Sequence, residues 1–83
     1  MRMDYIAEVI RFHRKKTGLS QQKLAELAGV GKTVVFDVEK KKKTIRLNTL
    51  MSILRVLNIR VTLESPLMKE FESIREESEN AQG

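Results

Sequence analysis

The sequence predicts an all-α fold, a bundle of four to five helices with one short β-strand near its C-terminal end. Apolar residues recur at helical spacing over most of the chain. Residues 21–40 have the composition of two short helices joined by a tight turn. The period then changes to two at Ile59, Val61 and Leu63, as in a strand. With 83 residues the chain forms one domain, of a size at which oligomerisation often supplements a small core.

The first helix is predicted over residues 3–17. Ile6, Val9, Ile10 and His13 follow the i, i+3, i+4, i+7 spacing of a buried stripe. Gly18 is a suitable C-terminal stop.

Two short helices with a turn between them are predicted next. Ser20 is a preferred N-cap for the first, and Gly29 can adopt the positive φ of the bend. Ala25 is small where a second helix must approach closely. Four residues share one buried side: Leu24, Ala28, Val35 and Val38. This is the helix-turn-helix pattern, whose second helix usually enters the DNA major groove.

The bounds of the later helices follow from the same reasoning. The second helix of the motif is predicted to start near Gly31 and to end near Lys40. A further helix runs from about Leu47 or Asn48 to Leu57, with Asn58 as its stop. Its apolar stripe consists of Leu47, Leu50, Ile53, Leu54 and Leu57.

A single strand is predicted after that helix. Its backbone donors and acceptors need a partner, and no other segment of the chain offers one. The simplest partner is the same strand of a second copy, paired antiparallel about a two-fold axis. Ile59, Val61 and Leu63 are therefore the predicted dimerisation residues.

The C-terminal segment is predicted to be an acidic amphipathic tail. Ser65 and Pro66 suit an N-cap and first helical position. Leu67, Phe71 and Ile74 line one side of a short helix to about residue 77, and residues 78–83 are expected to be disordered. We therefore divide the chain into residues 1–65, a DNA-binding and dimerisation domain, and residues 66–83, the tail.

The charge is distributed unevenly. Residues 1–63 contain 14 Lys and Arg against 5 Asp and Glu, a balance of +9, and residues 64–83 contain 2 against 6, a balance of −4. A basic body indicates a polyanionic partner such as DNA. Cysteine is absent, which excludes disulfides and thiolate metal sites. No apolar run is long enough to span a membrane, so we expect a cytoplasmic, nucleoid-associated protein without metal or cofactor.

Candidate base contacts lie on the outer side of the second motif helix. Lys32 can donate to guanine, and Thr33 can hydrogen-bond a base or offer its methyl group to thymine. Lys32 can equally meet a phosphate. Phe36 either contacts a thymine methyl or packs in the core, and Asp37 either accepts from cytosine or pairs with a nearby lysine.

Candidate phosphate contacts surround these residues. Gln21 stands at the start of a helix, beside free backbone N–H groups. The basic run after the motif adds Lys40, Lys42 and Lys43, which would make binding fall steeply with salt. Both features also occur as ordinary solvated residues.

Two features of a kind found in enzymes do not indicate an enzyme here. The Gly31-Lys32-Thr33 sequence matches the end of a phosphate-binding loop, but Glu26 stands where that loop requires glycine. His13 has no nucleophile or carboxylate constellation around it in the sequence. We therefore predict that the protein is not an enzyme.

Residues 5–58 resemble the Cro/repressor (XRE) family of helix-turn-helix regulators. The resemblance rests on the sequences LSQQKLAELAGVGKTVVFDVEK and LNTLMSILRVLNI. It implies a lambda-repressor-like fold and family contact positions at Gln21, Gly31, Lys32, Thr33 and Phe36. The sequence RVTLESP, directly after the last bundle helix, is similar to HipB-type antitoxins, in which such a strand pairs across the dimer.

The HipB-type resemblance implies a dimeric antitoxin that represses its own operon and binds a HipA-type kinase toxin. Three positions depart from the family pattern: Phe36 replaces a small polar residue, Lys41 a frequent glycine and Gly31 a common serine. A stand-alone repressor of a phage or mobile element is one alternative. The other is a protein-interaction module acting through the acidic tail.

Overall fold

The computed structural model describes residues 2–82, which contain five helices. They are α1 (Met3–Lys16), α2 (Gln21–Ala28), α3 (Val34–Glu39), α4 (Leu47–Val56) and α5 (Met68–Gln82). The first four pack around one core, and α5 stands apart from it. The predicted helical bundle is confirmed, and each helix up to α4 lies within a few residues of its predicted position. No described helix is both long and apolar enough to cross a bilayer.

The core is built from the stripes that the apolar spacing predicts. Its buried members are Ile10, Leu24, Ala25, Val35, Val38, Leu50, Ile53, Leu54 and Leu57. Ala25 is 1% exposed, in agreement with the close helix approach expected there. Four other residues predicted on buried sides are only partly buried: Ile6, Val9, His13 and Ala28. Leu47 departs most from its prediction: it was expected in the α4 stripe but is 69% exposed, because it is the first residue of α4 at the edge of the bundle.

The four bundle helices end in the same way. At the end of each helix, one residue has a left-handed backbone conformation with φ between 59° and 75°. These residues are Gly18 after α1, Gly29 after α2, Lys41 after α3 and Asn58 after α4. After α2, the N–H of Gly29 donates to the carbonyl of Glu26 and that of Val30 to Ala25. These two hydrogen bonds satisfy carbonyl groups that have no partner within the helix. The predicted stops at Gly18 and Asn58 and the predicted positive φ of Gly29 are confirmed.

The start of α3 differs from its prediction near Gly31. Val34 N–H donates to the carbonyl of Gly31, three residues earlier in the chain. This closes a tighter turn than the four-residue spacing of an α-helix. The first bond of α-helical spacing joins Asp37 N–H to the carbonyl of Thr33. The helix therefore begins at Val34, with Thr33 as N-cap.

The predicted strand is absent from residues 2–82, so that prediction is not supported. Ile59, Val61 and Leu63 lie in non-helical backbone between α4 and α5. The physical reason is that a strand needs a hydrogen-bonded partner strand, and residues 2–82 contain no second strand that could pair with it.

The last helix is longer than expected and makes little contact with the bundle. Ser65 Oγ accepts from the N–H of Leu67 at 3.3 Å just before α5 begins. The helix continues past residue 77 to Gln82, and Gly83 lies outside the described residues. Residues 69–80 are all exposed. The molecule is consequently elongated, measuring 46 × 26 × 24 Å.

Candidate nucleic-acid interface

The corner formed by α2 and α3 has a buried inner side and an exposed outer side. Leu24 and Ala25 of α2 pack in the core with Val35 and Val38 of α3. The register of α3 is fixed by these two buried valines, so the residues between them face outward. The exposed outer residues are Gly31, Lys32, Thr33, Phe36 and Lys40.

A hydrogen-bonded network holds α3 against α1 and α2. The guanidinium of Arg14 donates from Nε to Glu39 Oε2 at 2.7 Å and from Nη2 to Oε1 at 3.0 Å. Its Nη1 donates to the carbonyl of Leu19 at 2.9 Å. The bonded carboxylate raises the pKa of Arg14 above its usual value. The network fixes the orientation of the outer side of α3.

Gln21 belongs to this network. Its Nε2 donates to Glu39 Oε1 at 3.2 Å. The buried carboxylate of Glu39 thus holds in place the amide of Gln21, which is predicted to contact a phosphate.

Phe36 lies on the outer side of α3, so its interpretation as a core residue is wrong. Its side chain is 47% exposed, and Lys40 Nζ lies 5.2 Å from the centre of its ring. This cation–π contact places the apolar ring of Phe36 and the charge of Lys40 together on the same surface.

Lys32 and Thr33 occupy the turn that leads into α3 rather than the helix itself. Both are exposed, and the Thr33 side chain makes no capping hydrogen bond. Asp37 pairs with Lys42, with 3.9 Å between Oδ2 and Nζ, as expected for the lysine-pairing alternative. Lys42 therefore carries a partly compensated charge.

A polar cleft of about 310 Å³ lies where α1, α2 and α3 meet. Arg11, Gln21, Phe36 and Lys40 contribute to its wall, together with the Arg14–Glu39 pair. Since Glu39 offsets Arg14, the net positive charge of the cleft comes from Arg11 and Lys40. Arg11 was not among the predicted site residues, although its i, i+3 spacing with Arg14 indicates a basic face on α1.

The remaining predicted cation faces another direction. Lys43 lines a separate groove with Arg2 and Lys41, on the α1 side of the bundle. The structure thus brings together Gln21, Phe36 and Lys40 but not Lys43.

The predicted dimerisation residues border an apolar groove. Ile59 and Val61 line a cavity of about 270 Å³ with residues of α1 and α4. Leu63 does not line it and is 74% exposed.

Comparison with known proteins identifies related regulators. The family described as Helix-turn-helix (HTH_3) matches residues 10–63, more than half of the chain. "Control protein C.SmaI" of Serratia marcescens is 36% identical over 58 residues, which cover 70% of this chain and 69% of that protein. "Uncharacterized HTH-type transcriptional regulator y4mF" of Sinorhizobium fredii is 31% identical over 61 residues, which cover 74% and 80% respectively.

Proposed function

The chain belongs to the helix-turn-helix family, and we propose that it represses transcription as a sequence-specific, DNA-binding homodimer. The family and both relatives indicate a transcriptional regulator of the XRE type rather than an enzyme. The observation that carries the proposal is the outer side of the α2–α3 corner. There an exposed lysine, threonine and phenylalanine stand beside a basic cleft.

We assign the contacts by their places on this surface. Lys32, Thr33 and Phe36 face the bases, and Gly31 offers its backbone N–H to a phosphate. Gln21 and Lys40, on the wall of the cleft, meet phosphates. Lys42, partly compensated by Asp37, and Lys43, which lines a separate groove, lie outside the cleft and add only long-range electrostatic attraction. The protein would act on cytoplasmic, nucleoid DNA.

The dimer is proposed to form through residues 59–63 of two copies, paired antiparallel. Support comes from the alternating apolar residues and from the lack of a partner strand within the described part of the chain, residues 2–82. Two such domains present two α3 helices to an inverted repeat whose half-sites are about 34 Å apart, one turn of DNA. In this proposal residues 1–65 bind DNA and dimerise, and residues 66–83 form a separate acidic tail.

An antitoxin role is the second candidate. It is supported by the resemblance of residues 60–66 to HipB-type proteins and by an exposed amphipathic α5 that could engage a HipA-type kinase. The relative named a control protein supports a regulatory role and does not distinguish an antitoxin from a stand-alone repressor. Deleting residues 66–83 separates these: loss of a co-purifying kinase with retained DNA binding supports the antitoxin role, and no kinase in either case supports a stand-alone repressor.

Fluorescence anisotropy tests the proposed function directly. The labelled probe is the duplex upstream of this gene's own operon, and the control is a scrambled duplex of the same composition, at about 150 mM salt, where non-specific binding is typically 10⁻⁴–10⁻⁶ M. We expect nanomolar binding to the native duplex alone, at two chains per site. Equal and weak binding to both duplexes would reject a sequence-specific repressor of this operon.

A further inference from the structure

The apolar groove beside α4 is an open surface of the bundle. Its walls come from three segments: the start of α1, the exposed side of α4 and the chain that leaves α4. The residues that matter are Tyr5, Val9, Leu47, Met51, Ile59 and Val61. Tyr5 and Leu47 are 66% and 69% exposed. A groove of this kind suits the apolar face of an amphipathic helix.

α5 carries such a face and leaves it uncovered. Leu67, just before the helix, and Phe71 and Ile74 within it stand at i, i+4 and i+7. They are 68%, 55% and 59% exposed. This spacing is that of helix-in-groove anchors. In the single chain, therefore, the groove and the stripe that could fill it are both open.

We propose that α5 of each protomer docks its apolar stripe into the groove of the partner protomer. This inference rests on the proposed dimer, because antiparallel pairing centred on Val61 determines where α5 emerges. In that register Leu63 lies opposite Ile59 of the other copy. Since Ile59 and Val61 line the groove, each strand delivers its own α5 to the neighbouring groove. The arrangement is an exchange of identical elements between two copies.

The charges of the two surfaces are complementary. α5 contains Lys69 and Arg75 against five glutamates: Glu70, Glu72, Glu76, Glu77 and Glu79. Residues 2–64 contain 14 Lys and Arg against 6 Asp and Glu, and Arg60 lines the groove itself. The carboxylates beside Tyr5 already have partners: Asp4 pairs with Arg2 at 2.9 Å and Glu8 with Lys41 at 3.7 Å. An acidic helix therefore meets net positive charge there.

Two substitutions disable the two sides separately. Phe71→Asp places a charge in the stripe, and Leu47→Asp places one in the groove. Both residues are more than half exposed, so the bundle core stays intact. Each variant alone should weaken dimerisation in sedimentation equilibrium by about tenfold or more. Lys69→Gln and Asn48→Asp make the same change in net charge at exposed neighbouring positions and should leave dimerisation nearly unchanged.

Mixing the two variants distinguishes exchange from other arrangements. A dimer of one Phe71→Asp chain and one Leu47→Asp chain retains one intact stripe facing one intact groove, whereas neither variant homodimer retains any. Native mass spectrometry of the mixture should therefore show heterodimers in excess of random pairing. Random pairing would overturn the proposal, since it indicates docking within one chain or between two α5 helices.

The remaining outcomes separate this inference from the proposed dimer. A wild-type chain that stays monomeric at all concentrations rejects the dimer itself. A wild-type dimer that neither Phe71→Asp nor Leu47→Asp weakens rejects only the exchange of α5. Circular dichroism checks helix content, and Tyr5→Ser on the opposite wall repeats the groove test if Leu47→Asp unfolds.

Discussion

Arg14 of α1 and Glu39 of α3 form a two-point ion pair in the wall of the proposed DNA-binding cleft. Their side chains are only 12% and 5% exposed, and Nε and Oε2 lie 2.7 Å apart. Gln21 donates to the same carboxylate from α2. One buried carboxylate thus connects the three helices that meet at this surface. α3 has only six residues and three valines or phenylalanines in its first turn, so packing and this pair hold it in place.

Glu39→Gln should destabilise the fold by about 2–4 kcal/mol, because it leaves a largely buried guanidinium without its counter-charge. Urea unfolding followed by circular dichroism measures the loss. Glu26→Gln is the matched control: its pair with Lys23 at 3.8 Å is more than half exposed and should contribute less than about 0.5 kcal/mol. Equal effects of the two substitutions would contradict a special role for Glu39.

The core residues could be predicted from the sequence, whereas the Arg14–Glu39 pair could not. Ile10, Leu24 and Ile53 were predictable because helical periodicity is a local pattern. The Arg14–Glu39 bond joins residues 25 positions apart, and no spacing rule connects them. Only the packing of α1 against α3 brings these two side chains together.

The predictions for Phe36, Leu47 and the strand at residues 59–63 also depended on packing that local periodicity does not describe. Periodicity predicted that Val35 and Val38 are buried but left open whether the ring of Phe36 packs in the core, and the structure leaves that ring 47% exposed. Leu47 fits the stripe of α4 but lies at the edge of the bundle, where periodicity does not report burial. A strand at residues 59–63 depends on a second chain.

Lys41→Gly should stabilise the protein by about 0.5–1 kcal/mol. Lys41 has a φ of 66°, a left-handed conformation that costs a side chain about 1–2 kcal/mol, and the greater unfolded-state freedom of glycine offsets part of the gain. Its contact with Glu8 is a weak surface pair of 3.7 Å. Thermal unfolding measures the change. Lys43→Gly, at a position without positive φ, should not stabilise, and a gain there as large as at Lys41 would contradict this explanation.

Phe36→Ala should weaken specific DNA binding by about 1–2 kcal/mol while it changes stability by no more than about 1 kcal/mol. The ring is half exposed on the proposed base-reading surface, so its loss removes little core packing. Phe12→Ala is a closely matched control. Phe12 is 59% exposed on α1 and also has a lysine, Lys16, near its ring at 5.8 Å.

The paired phenylalanine variants are compared by anisotropy and by urea unfolding. Phe12→Ala should have a similar effect on stability and no effect on DNA affinity. A loss of affinity equal in both variants would show that Phe36 acts through general destabilisation rather than through a base.

Lys32→Ala should reduce affinity for the native duplex by about 1–3 kcal/mol more than for the scrambled duplex if Lys32 reads a base from the turn before α3. If Lys32 contacts a phosphate instead, affinity should fall equally for both duplexes. The slope of log affinity against log salt concentration should then also decrease by about one. Lys16→Ala, at an exposed position of α1, controls for the loss of one positive charge. An unchanged affinity for both duplexes would remove Lys32 from the interface.

Val61→Pro tests the proposed pairing of residues 59–63. Proline cannot donate to a ladder, so the substitution should shift the dimer towards monomer in sedimentation equilibrium and weaken binding to an inverted repeat more than to a single half-site. Val61 is 40% exposed and lies outside the helices, so the bundle should keep its stability. Val61→Thr preserves the backbone donor and the branched shape and is the control. An unchanged dimer with Val61→Pro would place the interface elsewhere, and a loss of dimer equal in both variants would assign the effect to the side chain rather than to the ladder.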